Sequence, residues 1–231
     1  MTPTARPTKR RRLLELGMAL AVALPVSLVV TSCAAEDPLA QQAAAGDGKN
    51  YIAGDGSVTE YAAADRGEPV EVSGTLFDGT DVSSADWDGQ VTVLNFWYAA
   101  CAPCRVEAPD LQALNEEFSK AEAAAQKAAA EEDVDALEQE FGGREVQFLG
   151  VNLRDQQATS SAFERSFGIT YPSVLDTDGS IAMGLSEFVP PQAVPTTVVI
   201  DKDGRIAARV LGIAEKSTLR ALIKTALETS G

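Results

Sequence analysis

The run Val91-Thr92-Val93-Leu94-Asn95-Phe96-Trp97 carries no charge and ends just before Cys101-Ala102-Pro103-Cys104, where apolar residues begin to recur at helical spacing (Leu111, Leu114, Phe118). A buried strand leading directly into a helix, with a Cys-x-x-Cys pair at the junction, admits few folds. It also carries chemistry. Unsatisfied N–H groups and the positive end of the dipole at a helix N-terminus stabilise a thiolate, so the first cysteine becomes a nucleophile near neutral pH. A second thiol one turn later can then attack the mixed disulfide and release the product.

Composition narrows the chemistry further. The chain has 231 residues, 45% of them hydrophobic, with three cysteines (Cys33, Cys101, Cys104) and no histidine. Imidazole bases and His-ligated metals are therefore excluded. One Cys pair, with Met183 the only methionine beyond the N-terminal segment, makes no usual ligand set for zinc or copper, so no metal is expected. A structural disulfide closing so short a loop would contribute little stability.

The N-terminus reads as an export signal: Lys9-Arg10-Arg11-Arg12, an apolar stretch over residues 16–30, and Val30-Thr31-Ser32-Cys33. The apolar stretch is shorter than the roughly 20 residues a spanning helix needs. The segment resembles a bacterial lipobox, with Cys33 as the lipidated first residue after residues 1–32 are removed. That leaves one even cysteine pair in an oxidising compartment. Arg10-Arg11-Arg12-Leu13-Leu14 leaves general and twin-arginine export both open. Processing would remove five basic residues and one acid, so the exported part is more acidic than the −15 of the whole chain. Such a charge argues against nucleic acid and leaves the lipid as the membrane contact.

Residues 33–66 are expected to form the lipidated tether and 67–231 the folded domain. The stretch 34–50 is low in large apolar residues and, as a coil, would span a few tens of Å. Alternation from Val70 and the Asp78-Gly79 turn predict a short hairpin before the core. After the first helix, 119–143 reads as an Ala/Glu-rich helical insertion, an extension or a helical hairpin. Val134, Leu137 and Phe141 restore an apolar stripe before Gly142-Gly143. It would serve as a spacer or a docking surface. Residues 146–152 predict a second buried strand, 159–167 a helix, 196–200 and 205–210 a strand pair across Asp201-Lys202-Asp203-Gly204. Leu219, Leu222, Ile223 and Leu227 mark a closing amphipathic helix. The order gives an α/β fold with a mixed sheet.

Four motifs in this order, Asn95-Phe96-Trp97, Cys101-x-Pro103-Cys104-Arg105-x-Glu107-x-Pro109, the run Gly168 through Asp176 (GITYPSVLD) and Val194-Pro195-Thr196-Thr197, resemble the thioredoxin fold, and more narrowly the TlpA/ResA family of extracytoplasmic thiol–disulfide oxidoreductases. The resemblance runs from about residue 69 to the C-terminus. It implies a thioredoxin-like mixed sheet flanked by helices, with Cys101 the exposed nucleophile and Cys104 the buried resolving thiol. It further implies Ala102-Pro103 as the active-site dipeptide, Glu107 handling the proton of the buried cysteine, and a cis Pro195 presenting the Val194 backbone to substrate beside Trp97. Asn95 stands where thioredoxin has a buried aspartate, which shifts proton transfer toward Glu107. Ala100 replaces an aromatic residue before the first cysteine. Arg105, next to the pair, is placed either to help hold a thiolate or to stay a solvated side chain without a role.

The resemblance implies no cofactor beyond a redox-active Cys101–Cys104 disulfide. It implies exported disulfide proteins such as apocytochrome c as substrates, a place in cytochrome c biogenesis, and a membrane electron donor of the CcdA/DsbD kind. The site would lie on the outer face of the bacterial cytoplasmic membrane, lipid-anchored. A disulfide-forming oxidant and a non-catalytic lipoprotein binding module stand as alternatives. A peroxidase is disfavoured: its Pro-x-x-x-Thr-x-x-Cys arrangement is absent, and Tyr98 holds the threonine position.

Overall fold

A computed structural model of the protein describes residues 56–132, 145–190 and 193–229. Eight strands and four α-helices follow one another within them: β1 (Ser57–Glu60), β2 (Ser73–Thr75), β3 (Asp81–Ser83), β4 (Val91–Trp97), α1 (Ala102–Glu132), β5 (Val146–Asn152), α2 (Gln157–Phe167), β6 (Ser173–Leu175), α3 (Ser180–Gly184), β7 (Thr196–Ile200), β8 (Ile206–Leu211) and α4 (Lys216–Glu228). Six strands form one mixed sheet in the order β1-β8-β7-β4-β5-β6, and β2 and β3 form the expected hairpin. β4 is central, parallel to β5 and antiparallel to β7. The thioredoxin-like arrangement of helices on a mixed sheet is the one the motifs imply.

Every residue of β4 is buried because both faces of the strand are covered, which explains its unbroken apolar character. Its side chains alternate between two cores. Val91 and Val93 pack with Leu111 and Leu114 of α1 and with Leu219, Leu222 and Ile223 of α4. Leu94 and Phe96 face the other way, into a core with Val151, Val174, Val198, Ile181 and Trp87. Asn95 and Trp97 fall on the α1 face by the same alternation, so a polar residue is delivered into the interior just below the cysteine pair.

Two boundaries differ from expectation. The tether boundary at 66 is too late, since Ser57–Glu60 is already an edge strand paired with β8. This strand holds through backbone bonds and carries one large apolar residue, Val58, so periodicity gives it no signal. Within the described residues the Ala-rich segment continues α1 without a break to Glu132, and the rest of the 119–143 segment lies outside them. The side chain of Glu122 accepts the N–H of Glu145 (2.9 Å), tying this part of the helix to the entry of β5. Val134, Leu137 and Phe141 lie outside the described residues, as do the signal segment and Cys33. β6 and α3, three and five residues long, are too short to register as periodic elements.

The segment before the hairpin is fastened by Arg66. Its guanidinium donates to Asp201 Oδ2 (2.8 Å), Thr229 Oγ1 (2.9 Å) and the carbonyl of Tyr61 (3.1 Å). Asp201 is fully buried and also accepts the N–H groups of Asp203 and Arg205 in the β7–β8 turn. Arg66→Ala would leave the buried Asp201 carboxylate only the more distant Arg205 Nε, at 3.8 Å, and is expected to lower unfolding free energy by about 3 kcal/mol in urea titrations. A loss below about 1 kcal/mol would show the pair to be dispensable.

Candidate active site: a helix-start disulfide over a buried carboxyl

Cys101 closes the loop after β4 and α1 begins at the next residue, so the pair sits where the first helical N–H groups lack intrahelical acceptors. Cys101 and Cys104 form a disulfide with Cα atoms 5.3 Å apart. The N–H of Cys104 points at Cys101 Sγ (3.2 Å), which places a donor where thiolate charge develops on reduction. Ala102 is exposed and Pro103 half-buried in the first turn, where proline lacks only an N–H that has no helical acceptor.

Both sulfur-bearing residues are covered, Cys101 fully and Cys104 to within 2%. The expectation of an exposed Cys101 is corrected here: in the disulfide form it packs in one apolar cluster with Trp97, Tyr98, Ala108, Phe163 and Val194. Trp97 is corrected as well. It is 3% exposed and stacked on Phe163 at 4.4 Å, so it forms the floor beneath the disulfide rather than a surface for substrate. The Val194–Pro195 peptide is cis, with Val194 in the cysteine cluster and the carbonyl of Pro195 accepting the N–H of Gly212 (2.8 Å). Arg105 does not reach for a sulfur. Its guanidinium lies over Phe163 and Phe167 at 5.9 and 5.2 Å and donates to the carbonyl of Ala99.

Glu107 lies one turn beyond Cys104 on the same helix face and is 1% exposed. Its Oε1 accepts from Asn95 Nδ2 (2.7 Å) and its Oε2 from the N–H of Ala214 (2.9 Å). Burial pushes its pKa up to about 8, against the opposing pull of those two N–H donors. The carboxyl therefore holds a proton at neutral pH and can release it slightly above. Asn95 donates also to Thr197 Oγ1 (3.1 Å), two residues beyond the cis proline, so one amide links the carboxyl to the strand that carries Pro195. Burial, with smaller contributions from Glu107 and Glu164 when they are ionised, pushes the pKa of the Tyr171 phenol upward.

The structure brings together Cys101, Cys104, Glu107, Val194, Pro195 and Trp97. Sequence reasoning missed Ala214 and Thr197, which hold Glu107 and Asn95, and it missed Asn152 and Asp155, which hold the loop before Cys101. An Asn-x-x-Asp spacing beginning at the last residue of a buried strand was the available signal for the last two.

The fold and site define a thioredoxin-fold protein built around a redox-active Cys-x-x-Cys. The sequence matches the AhpC/TSA family over residues 68–130 and the Redoxin family over residues 126–223. It is 30% identical over 125 residues to the thiol:disulfide interchange protein HelX of Rhodobacter capsulatus, a match spanning 54% of this chain and about half, 54%, of that protein. It is 27% identical over 157 residues to the thiol-disulfide oxidoreductase ResA of Bacillus subtilis, covering 67% and 72% of the two chains. The crystal structure of a secreted thiol-disulfide isomerase from Corynebacterium glutamicum superposes with a TM-score of 0.60 at 30% identity, over 75% of this chain and 94% of that one. The chain belongs to the TlpA/ResA-like family of thioredoxin-fold thiol–disulfide oxidoreductases. The AhpC/TSA match falls on the hairpin, β4 and α1, while the peroxidase cysteine arrangement is missing, as Tyr98 shows.

Because the folded-state pKa of Glu107 is raised, its contribution to stability is whole below the ordinary carboxyl value and is lost as pH rises through about 8. Oxidised wild-type protein should lose stability between about pH 5 and pH 8, by an amount of order a few kcal/mol. Glu107→Gln removes this slope. The Asn95 amide can turn over to accept from the new amide while Thr197 donates in its place. Urea unfolding at about pH 5, 7 and 9 measures both slopes, and equal slopes would contradict the raised pKa.

Proposed function

We propose that this protein is a lipid-anchored, extracytoplasmic thiol–disulfide oxidoreductase that reduces disulfides of exported proteins, apocytochrome c among them. The observation that carries the reading is Glu107, a proton-holding carboxyl buried one helical turn behind a disulfide at a helix start. A reductant must deprotonate its buried second thiol in the middle of each turnover, and an acid of this pKa is suited to that step.

The Cys101 thiolate attacks one sulfur of the substrate disulfide; a Cys101–substrate disulfide forms and the other substrate sulfur leaves as a thiolate, which takes up a proton. Glu107 accepts the proton of the Cys104 thiol in the molecules where it has first released its own proton to solvent, a minority at neutral pH that grows as pH rises toward about 8. The Cys104 thiolate then attacks Cys101 Sγ, the internal disulfide forms, and the second substrate sulfur leaves and is protonated. Substrate gains two electrons and two protons, and the pair becomes oxidised. A membrane dithiol of the CcdA/DsbD kind restores it. Val194, in the apolar cluster with both cysteines, and the cis Pro195 that follows it orient the substrate chain. Electrons are carried by the Cys101–Cys104 disulfide without further cofactor.

Residues 1–32 act as the export signal and Cys33 as the lipidated anchor on the outer face of the cytoplasmic membrane. The lipobox-like ending of the signal supports this, and the surplus of acidic residues makes lipid rather than surface charge the membrane contact.

A second reading, a disulfide-forming oxidant, is favoured by the N–H of Cys104 aimed at Cys101 Sγ. Stabilising the reduced thiolate makes a couple more oxidising.

Trapping in the bacterial host tests the first reading. Cys104→Ser should accumulate a mixed disulfide between Cys101 and exported substrate in the membrane fraction. Adding Cys33→Ser should move that adduct to the soluble fraction, and Cys101→Ser should form none. Adducts that persist without Cys101 would refute the mechanism, and an adduct that stays membrane-bound without Cys33 would refute the anchor.

A further inference from the structure

The loop presenting the nucleophile is fixed by a residue outside the chemistry just described. Asp155 follows β5, and its Oδ2 accepts both the N–H of Ala99 (2.6 Å) and Nδ2 of Asn152 (2.8 Å). Asn152 is fully buried, and its Oδ1 accepts the N–H groups of Arg154 (3.2 Å) and Asp155 (2.8 Å), an Asx turn that sets the direction of the carboxylate. The carbonyl of the same Ala99 accepts from Arg105 Nη1 (3.3 Å). One residue is thus held through its N–H by an anion from the β5–α2 connection and through its carbonyl by a cation from the first turn of α1. The backbone contact between the N–H of Leu153 and the carbonyl of Trp97 (3.1 Å) fastens the other end of the loop.

Ala99 stands two residues before Cys101, a chain reach of at most about 7 Å. That lies within the Debye length of about 10 Å at ordinary ionic strength. The other charged groups around the loop are Arg105, over Phe163 and Phe167, and Arg154, over the Tyr98 ring at 4.9 Å. Glu107 faces the pair from inside α1 and carries its proton at neutral pH.

We propose that Asp155 is a positioning residue for the exchange reaction. It holds residues 98–101 so that Cys101 Sγ meets the N–H of Cys104, and its charge offsets the two arginines and the helix terminus, keeping the Cys101 thiolate less stable and the couple more reducing. This assignment rests on the proposed reductive function and says how the site reaches that end of the redox scale.

The test uses the full chain, wild type, Asp155→Asn and Asp155→Ala. The readouts are the pH profile of Cys101 alkylation in the reduced protein, the equilibrium with glutathione, and hydrogen exchange at the Ala99 amide. Asp155→Asn keeps an acceptor for Ala99 and removes the charge. Its alkylation profile should move to lower pH, and its equilibrium should shift toward the dithiol by about threefold or more, with Ala99 still protected. Asp155→Ala should speed Ala99 exchange as well. Variants that match wild type in alkylation profile and in exchange overturn the assignment. A wild-type chain that does not exchange with glutathione contradicts the functional reading instead; the alkylation profile, which needs no substrate, then still decides the role of Asp155.

Discussion

One buried carboxyl joins the parts of this structure that have to meet. Glu107 comes from α1, its two oxygens are held by Asn95 of the central strand and by the N–H of Ala214 ahead of α4, and Asn95 passes the connection to Thr197 beside the cis proline. Deleting the carboxyl would strand two buried donors, at about 1–3 kcal/mol each. The arrangement also explains the chemistry. A carboxyl with no bonded partners would simply stay neutral in such a place, and one paired with a cation would stay charged. Two neutral N–H donors in a dry interior leave it balanced near the pH at which a thiol must lose its proton.

Around that centre, short-range polar contacts do what net charge cannot. The chain is strongly acidic, yet Arg105 and Arg154 rest on aromatic rings next to the cysteine loop, and Asp155 holds the backbone between them. Cation–aromatic contacts place positive charge near the sulfurs without binding it to them. The sulfurs themselves are sealed by Tyr98, Phe163 and Val194 in the disulfide form. Attack on a substrate therefore requires Tyr98 or Val194 to loosen once the disulfide is reduced, whereas the floor formed by Trp97 and Phe163 can stay in place.

The core of the fold was legible because β4, β5 and β7 are buried on both faces and spell that out as apolar runs, and because α1 and α4 keep a helical stripe. β1 was not, since an edge strand with one apolar residue is held by backbone bonds to β8 that leave no trace in side-chain pattern. The cysteine pair and Glu107 were legible through spacing and through resemblance. The exposure assigned to Cys101 and the surface role assigned to Trp97 failed because burial depends on what packs across the chain, here Phe163 from α2 and Val194 from the loop before β7. Ala214 contributes through a backbone N–H that no motif marks, and Thr197, though it closes the Val194–Thr197 motif, through a hydroxyl to which the motif gives no role.

The potential of the Cys101–Cys104 couple tests the central claim most directly, measured by equilibrating the protein against dithiothreitol and glutathione buffers. A value near that of thioredoxin, about −270 mV or lower, is the expected result for a reductant with Glu107 behind its disulfide. A value near about −150 mV would contradict the reductive direction and establish an oxidant, and a pair that never forms its disulfide would contradict the exchange chemistry altogether.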